Sequence, residues 1–292
     1  MAVEIVLVIA GIVVILFGLW DMFHQLLHPR GQGPLSGLVF GLVWKASRAT
    51  GHRFGIALGP ATMVAVIMFW VLIQGVGWAL IYYPHVPTGF LYSDGISPAD
   101  YARFAEALYI SLVTLATLGF GDAVAVEPAL RLAAPIQGLT GFALLTGALT
   151  WFVQVYPPLF RRRASALTLK ALAEAEYAEK LPQLQPWAVL AELDRISEQI
   201  SQICVDLDQH SETYYFQVTD AELSFSHHLP YALTLQRAAQ ASPALEVRMG
   251  AAKLRTMLTQ LSTVLSPGFV SGEGLDEIFA AYTADHPHRR RG

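Results

Sequence analysis

Thr114-Leu115-Ala116-Thr117-Leu118-Gly119-Phe120-Gly121-Asp122 closes a short apolar stretch that begins at Phe104. From Phe104 to Leu118 the chain is too short to cross a hydrocarbon core, which takes roughly 20 residues of helix. It ends in Gly-Phe-Gly, where glycines let the backbone turn. Just upstream, Ser97-Pro98-Ala99-Asp100 has the residue types of a helix start: Ser97 as cap, Pro98 at the first helical position, Asp100 in the first turn. The spacing predicts a helix from there through Tyr101 to about Leu115. A short helix that enters a membrane and returns through irregular backbone needs protein around it to satisfy its amides. The flanking sequence therefore decides whether this is a re-entrant segment or an ordinary turn.

Both flanks are apolar blocks. Residues 61–83 hold no Asp, Glu, Lys or Arg, and Trp70, Trp78, Tyr82 and Tyr83 suit interface anchors before Pro84. Residues 129–156 form a second block, with Arg131 near its start and Pro157-Pro158 at its end, where a kink or a stop is expected. A further block, residues 3–20, has charges only at its edges, Glu4 and Asp21. It lacks the basic start of a signal peptide and is read as a retained helix. Composition agrees: 54% of the residues are apolar and 14% charged, against roughly 25% charged in a soluble domain. The net charge of -4 gives no nucleic-acid signal. The single cysteine, Cys204, excludes an internal disulfide and reads as a small buried apolar residue.

Orientation follows from the basic residues. Residues 22–60 carry Arg30, Lys45, Arg48 and Arg53, and Arg161-Arg162-Arg163 follows the last block, whereas residues 84–128 hold only Arg103. The positive-inside rule puts the first loop and the C-terminal region in the cytoplasm, and the N-terminus and the Gly-Phe-Gly loop outside. Residues 31–55 mix apolar and basic side chains and predict an amphipathic helix at the membrane surface. Beyond residue 163 the chain is polar enough to be soluble. Helices are expected over 166–180, 187–208, 221–241, 245–265 and 276–282, separated by prolines and polar breaks. No nucleotide-binding glycine fingerprint and no acid-base or nucleophile cluster is present, so an enzyme is not expected. His24 and His28 stand four apart, too few ligands for a metal centre. His210, His227 and His228 are candidate proton sensors, and Arg289-Arg290-Arg291 is a solvated tail or an anionic-lipid contact.

The stretch Thr114 to Asp122, with its flanking blocks, resembles the pore loop of potassium channels over about residues 61–160. Together with the first apolar block and the polar C-terminal part, which lie outside that resemblance, the expected fold is an all-α membrane protein: three transmembrane helices, a re-entrant pore helix with its filter, and a helical cytoplasmic C-terminal domain. The expected division is residues 1–60, 61–163 (the pore module) and 164–292. The resemblance implies K+ sites built from the carbonyls of Thr117, Leu118, Gly119 and Phe120, the Thr117 hydroxyl and Gly121, with no organic cofactor. Gly119 and Gly121 would supply positive φ. Asp122 would concentrate cations at the outer mouth. Thr114 and Tyr109 would support the filter. Phe120 and Leu118 stand where the family commonly has Tyr and Val. Val113 stands where some members have a Glu that bonds the filter Asp, so Asp122 needs another partner. Gly138 and Gly141 both fit the inner-helix hinge, with close helix packing as the alternative for each. One pore loop per chain implies a homotetramer in lipid. No voltage sensor is visible, because the first two blocks carry no basic residue in their cores. The stimulus is an unknown ligand or condition acting on the C-terminal domain. A poorly selective cation channel and a membrane-anchored signalling protein with a vestigial pore remain as alternatives.

Overall fold

The computed structural model describes residues 2–27, 33–51, 55–266 and 268–287. Among them are ten α-helices and two short strands. Three helical stretches, Ala2–Leu27, Gly55–His85 and Pro128–Glu174, are long and apolar enough to cross a membrane. The protein is an all-α membrane protein. The chain divides into two compact units, Met1–Val39 with Met63–Phe152, and Phe40–Thr62 with Val153–Gly292.

In the first unit, α1 (Ala2–Leu27) buries Gly11, Ile15, Gly18, Met22 and Gln25, a stripe at steps of three and four. The opposite face, with Ile5, Ile9, Val13 and Leu16, is exposed apolar surface. The stripe packs on α3 (Leu58–Tyr82) with close backbone contact. A Cβ on Gly11 would meet the Gly77 carbonyl oxygen at 2.6 Å, and one on Gly18 would meet Gln74 Nε2 at 2.8 Å. Small residues at these positions let the two helices approach.

Polar residues lock this packing. Asp21, which stands at the edge of the first apolar block in sequence, is fully buried. Its carboxylate accepts from the Trp70 indole at 2.8 Å, the Ser36 hydroxyl at 2.7 Å and the Leu35 amide at 2.8 Å. The last two lie in the first turn of α2 (Pro34–Ala49). Asp21 thus joins α1 to α3 and caps α2 at its positive end. Gln74 donates to the Ile15 carbonyl at 3.1 Å.

The link from α3 to the short helix differs from expectation. Pro98–Asp100 forms its own 3₁₀ turn, Tyr101 and Ala102 are extended, and α4 runs from Arg103 to Leu115. Ser97 makes no capping bond. The helix instead starts where Arg103 grips the end of α3: its guanidinium donates to the Val86 and Pro84 carbonyls at 2.8 and 2.7 Å and lies 4.8 Å from the Tyr83 ring centre. Two strands unread in the sequence, β1 (Phe90–Tyr92) and β2 (Ala123–Ala125), pair antiparallel with Leu91 opposite Val124.

Helix α5 (Pro128–Glu174) runs unbroken through Pro157-Pro158. The expected stop is therefore absent: the helix continues past both prolines.

The second unit is a helical bundle. Helix α7 (Pro186–Gln209) lays Val189, Leu193, Ile196, Ile200 and Ile203 against α9 (Leu245–Leu265), whose Val247, Ala251, Leu254, Leu258 and Leu261 are buried. Helices α8 (Phe225–Gln240) and α10 (Leu275–Asp285) close the core, with the short α6 (Tyr177–Lys180) against α8. The second half of α2 belongs here. Phe40 stacks on Tyr215 with centroids 5.1 Å apart, and Trp44 meets Tyr214 edge-on. Asp285 accepts from Arg48 at 2.6 and 2.7 Å, from Trp44 Nε1 at 3.1 Å and from Tyr214 at 2.5 Å. Burial opposes the Asp285 charge, but the Arg48 and Tyr214 bonds outweigh it and hold the carboxyl below its ordinary pKa.

Candidate functional site

The site is the loop that follows α4. Helix α4 presents an apolar face, with Ala107, Ile110 and Leu115 buried, and is fixed by a polar chain across three helices. Tyr82 donates to Gln137 Oε1 at 2.6 Å. Gln137 Nε2 lies 2.9 Å from both the carbonyl and the hydroxyl oxygen of Ser111, and Ser111 donates to the Gly75 carbonyl at 2.8 Å. All three side chains are buried. Every donor has a partner, so the network positions the short helix without leaving a costly orphan there. Spacing gave no sign of it, because its members are 26 and 55 residues apart.

At the end of α4 the chain changes hand residue by residue. Thr117 has φ 56°, Gly119 53° and Gly121 78°. Among the described residues only one other non-glycine, Glu176, has positive φ. Left-handed residues alternate here with Leu118 and Phe120. A Cβ at Gly119 or Gly121 would meet nothing within 4 Å. The glycines serve the conformation and not the space. The left-handed backbone at Thr117 was not legible in the sequence, since a β-branched residue rarely adopts that region. Two backbone bonds hold it, Thr117 N–H to Thr114 O at 3.0 Å and Leu118 N–H to Val113 O at 2.9 Å. The Thr114 hydroxyl turns back to the Ile110 carbonyl at 2.8 Å. Leu118 and Phe120 side chains are exposed in the single chain.

Asp122 closes the loop and is held on every side. The Tyr109 phenol donates to its carboxylate. The Ala123 amide donates to Oδ1 at 3.2 Å. Ser93, just after β1, donates its amide to the Asp122 carbonyl at 3.0 Å and its hydroxyl to the Gly121 carbonyl at 3.2 Å. The strand pair therefore anchors the Asp122 end of the loop. Glu106, buried one turn before Tyr109, was missed in sequence.

Gly138 and Gly141 lie within the unbroken α5. A Cβ at Gly141 would sit 1.8 Å from the Leu115 carbonyl oxygen, while at Gly138 the nearest atom is the Thr114 carbonyl oxygen at 4.0 Å. Gly141 is where α5 passes directly beneath the end of α4.

Elsewhere, His28 and Arg289-Arg290-Arg291 lie outside the described residues, and no group of three metal-ligating side chains is assembled among those described. His210 faces Glu212 at 3.6 Å, which raises its pKa, while burial lowers that of His228. Cys204 is buried, and burial pushes its thiol up to about 12.

Residues 65–156 match a family described as ion channel. The match covers about a third of the chain and contains most of α3, all of α4, the loop and the apolar part of α5. It supports a channel function for this portion. No curated protein and no solved structure matches the chain.

Proposed function

We propose that the chain is one of four identical subunits of a potassium-selective channel embedded in lipid. The alternation of left-handed backbone at Thr117, Gly119 and Gly121 carries this reading. At Thr117, a β-branched residue, left-handed backbone costs on the order of 1–3 kcal/mol and persists where function requires it, whereas the two glycines adopt it freely. Four such loops would surround an axis with rings of carbonyl oxygens. Those of Thr117, Leu118, Gly119 and Phe120, with the Thr117 hydroxyl and the Gly121 end of the loop, replace the hydration shell of K+. The negative end of α4 points its dipole toward the conduction path, and Asp122 raises cation concentration at the mouth. The N-terminus and Asp122 face outside, and the bundle formed by residues 164–292 lies in the cytoplasm, as the distribution of Lys and Arg favours. The stimulus acts through that bundle and not through a charged voltage sensor.

Phe120 has no hydroxyl to brace the filter, which favours a looser, less selective pore as the second reading. Purified protein in liposomes decides between them. Potassium flux with a reversal potential that tracks the potassium gradient supports selectivity. Equal sodium permeation supports the second reading, and no cation flux from an intact tetramer rejects both.

A further inference from the structure

A cavity in the second unit is walled by α5 just beyond its apolar part, by the start of α8 and by the end of α10. Arg162 lines it, only 7% exposed, and its Nη1 has no hydrogen-bond partner. A buried guanidinium nitrogen without an acceptor is costly unless something supplies one. Three carboxylates of the second unit are already engaged. Asp206 is held by Arg161, Asp285 by Arg48 and Tyr214, and Glu222 lies 3.2 Å from Lys170. No Asp or Glu is among the described residues lining the cavity, whereas Arg163 is.

The opposite wall offers donors. Ser224 and Ser226 are buried, and their hydroxyls lie 3.1 Å apart, so the hydrogen of one remains available to a ligand. They sit at the N-terminus of α8, a 16-residue helix whose cap position, Ser224, makes no side-chain capping bond. The first amides of such a helix have no intrahelical acceptor and carry the positive end of its dipole. His286 adds no free donor, because its ring nitrogens face the Tyr214 and Tyr282 carbonyls at 2.7 and 3.1 Å.

We propose that this cavity binds a phosphate-type oxyanion, held by the Arg162 guanidinium, the Ser224/Ser226 hydroxyls and the N-terminus of α8. A guanidinium fork matches phosphate oxygens in a planar, paired geometry. The group is inorganic phosphate or the phosphate of a lipid headgroup. Arg162 is carried on α5, the helix that also contains the inner span, so occupancy restrains the continuation of that helix. In giving the regulatory ligand a chemical class, the proposal rests on the channel reading above, but binding itself requires no conduction.

The test uses the full chain in detergent and in phosphatidylcholine nanodiscs, titrated with inorganic phosphate against sodium chloride of matched ionic strength. The thermal midpoint and calorimetry are read. A saturable rise with phosphate supports the site, as does a rise only in nanodiscs containing phosphatidic acid, which names the headgroup as the source. Arg162→Gln should abolish the response. Ser226→Ala removes only a hydroxyl bonded to Ser224 and should keep the fold while weakening binding about tenfold. No response to either phosphate source, or undiminished binding in both variants, overturns the proposal. Liposome flux with and without phosphate is a separate readout. Unchanged flux at saturating occupancy removes the regulatory role, and absent flux with intact binding removes the channel reading.

Discussion

Tyr109 donates a hydrogen bond from its phenol to the carboxylate of Asp122, thirteen residues later, across the mouth of the loop. The bond fills the place left by Val113, which cannot reach Asp122 with a polar group. Without it the Asp122 carboxylate keeps, among the described residues, the Ala123 amide, a weak partner at 3.2 Å. Tyr109→Phe should leave assembly intact and make potassium flux run down faster, most strongly at low external potassium. Flux and run-down equal to the parent protein would show that Asp122 needs no brace.

Gly121→Ala and Gly119→Ala test the backbone alternation directly. Space is open at both positions, so a lost activity reports conformation and not a clash. An L-residue in the left-handed region costs roughly 1–2 kcal/mol in each chain. Assembly, read by native mass measurement, should persist while conduction or selectivity is lost. Normal potassium-selective flux from Gly121→Ala would remove the filter assignment.

Gly141 and Gly138 separate packing from hinging. An added methyl at Gly141 would lie 1.8 Å from a backbone oxygen, and neither helix can yield that much without moving. At Gly138 the same methyl has 4.0 Å of clearance. Gly141→Ala should lower the thermal midpoint sharply or prevent assembly, and Gly138→Ala should fold normally. A well-folded Gly141→Ala with altered open probability would instead mark a hinge.

The long elements were legible because their signals are local. The apolar blocks, the short stretch ending in Gly-Phe-Gly, and the periodic Val189, Leu193, Ile196 and Ile200 of α7 declare themselves within a few turns. What stayed hidden depends on distant partners. Asp21 looked like an edge charge because Trp70 is 49 residues away. The β1–β2 ribbon is three residues a side, too short for alternation to register. The start of α4 was placed at Ser97 because capping residues were present. Arg103, bound to the end of α3, sets the start instead. The left-handed Thr117 ran against its own preference and is held by the turn after α4.

Asp21 accepts from three donors. Asp21→Ala strands the Trp70 indole, the Ser36 hydroxyl and the Leu35 amide, each costing about 1–3 kcal/mol when buried unpaired. Asp21→Asn keeps one acceptor oxygen and should fall between the two. Thermal midpoints of the purified proteins should rank parent, Asn, Ala. Equal midpoints for all three would mean that water replaces the carboxylate.

His286 should make the second unit lose stability in mild acid. Arg162, Asp285, Tyr214 and Tyr282 surround its ring. Burial lowers its pKa to about 4, outweighing the two carbonyls, and the Arg162 charge pushes in the same direction. The imidazole of an unfolded chain titrates near 6.5. The unfolded chain therefore binds the proton more tightly. Stability is fully present above about pH 6.5 and declines as pH falls toward 4, by roughly 3 kcal/mol for this one group. His210 works the other way. Glu212 raises its pKa, so its contribution is complete below its unfolded value and disappears as pH rises through the folded one. Asp285, held low, contributes until pH falls through its own depressed value. His286→Gln keeps a donor and an acceptor but cannot titrate, so it should flatten the decline between pH 6.5 and 4, while His210→Gln should leave that decline in place. Melting curves of the full chain in detergent at half-unit pH steps make the comparison. If the parent and His286→Gln lose stability in parallel, His286 is not the buried neutral group, and the acid sensitivity belongs to carboxylates.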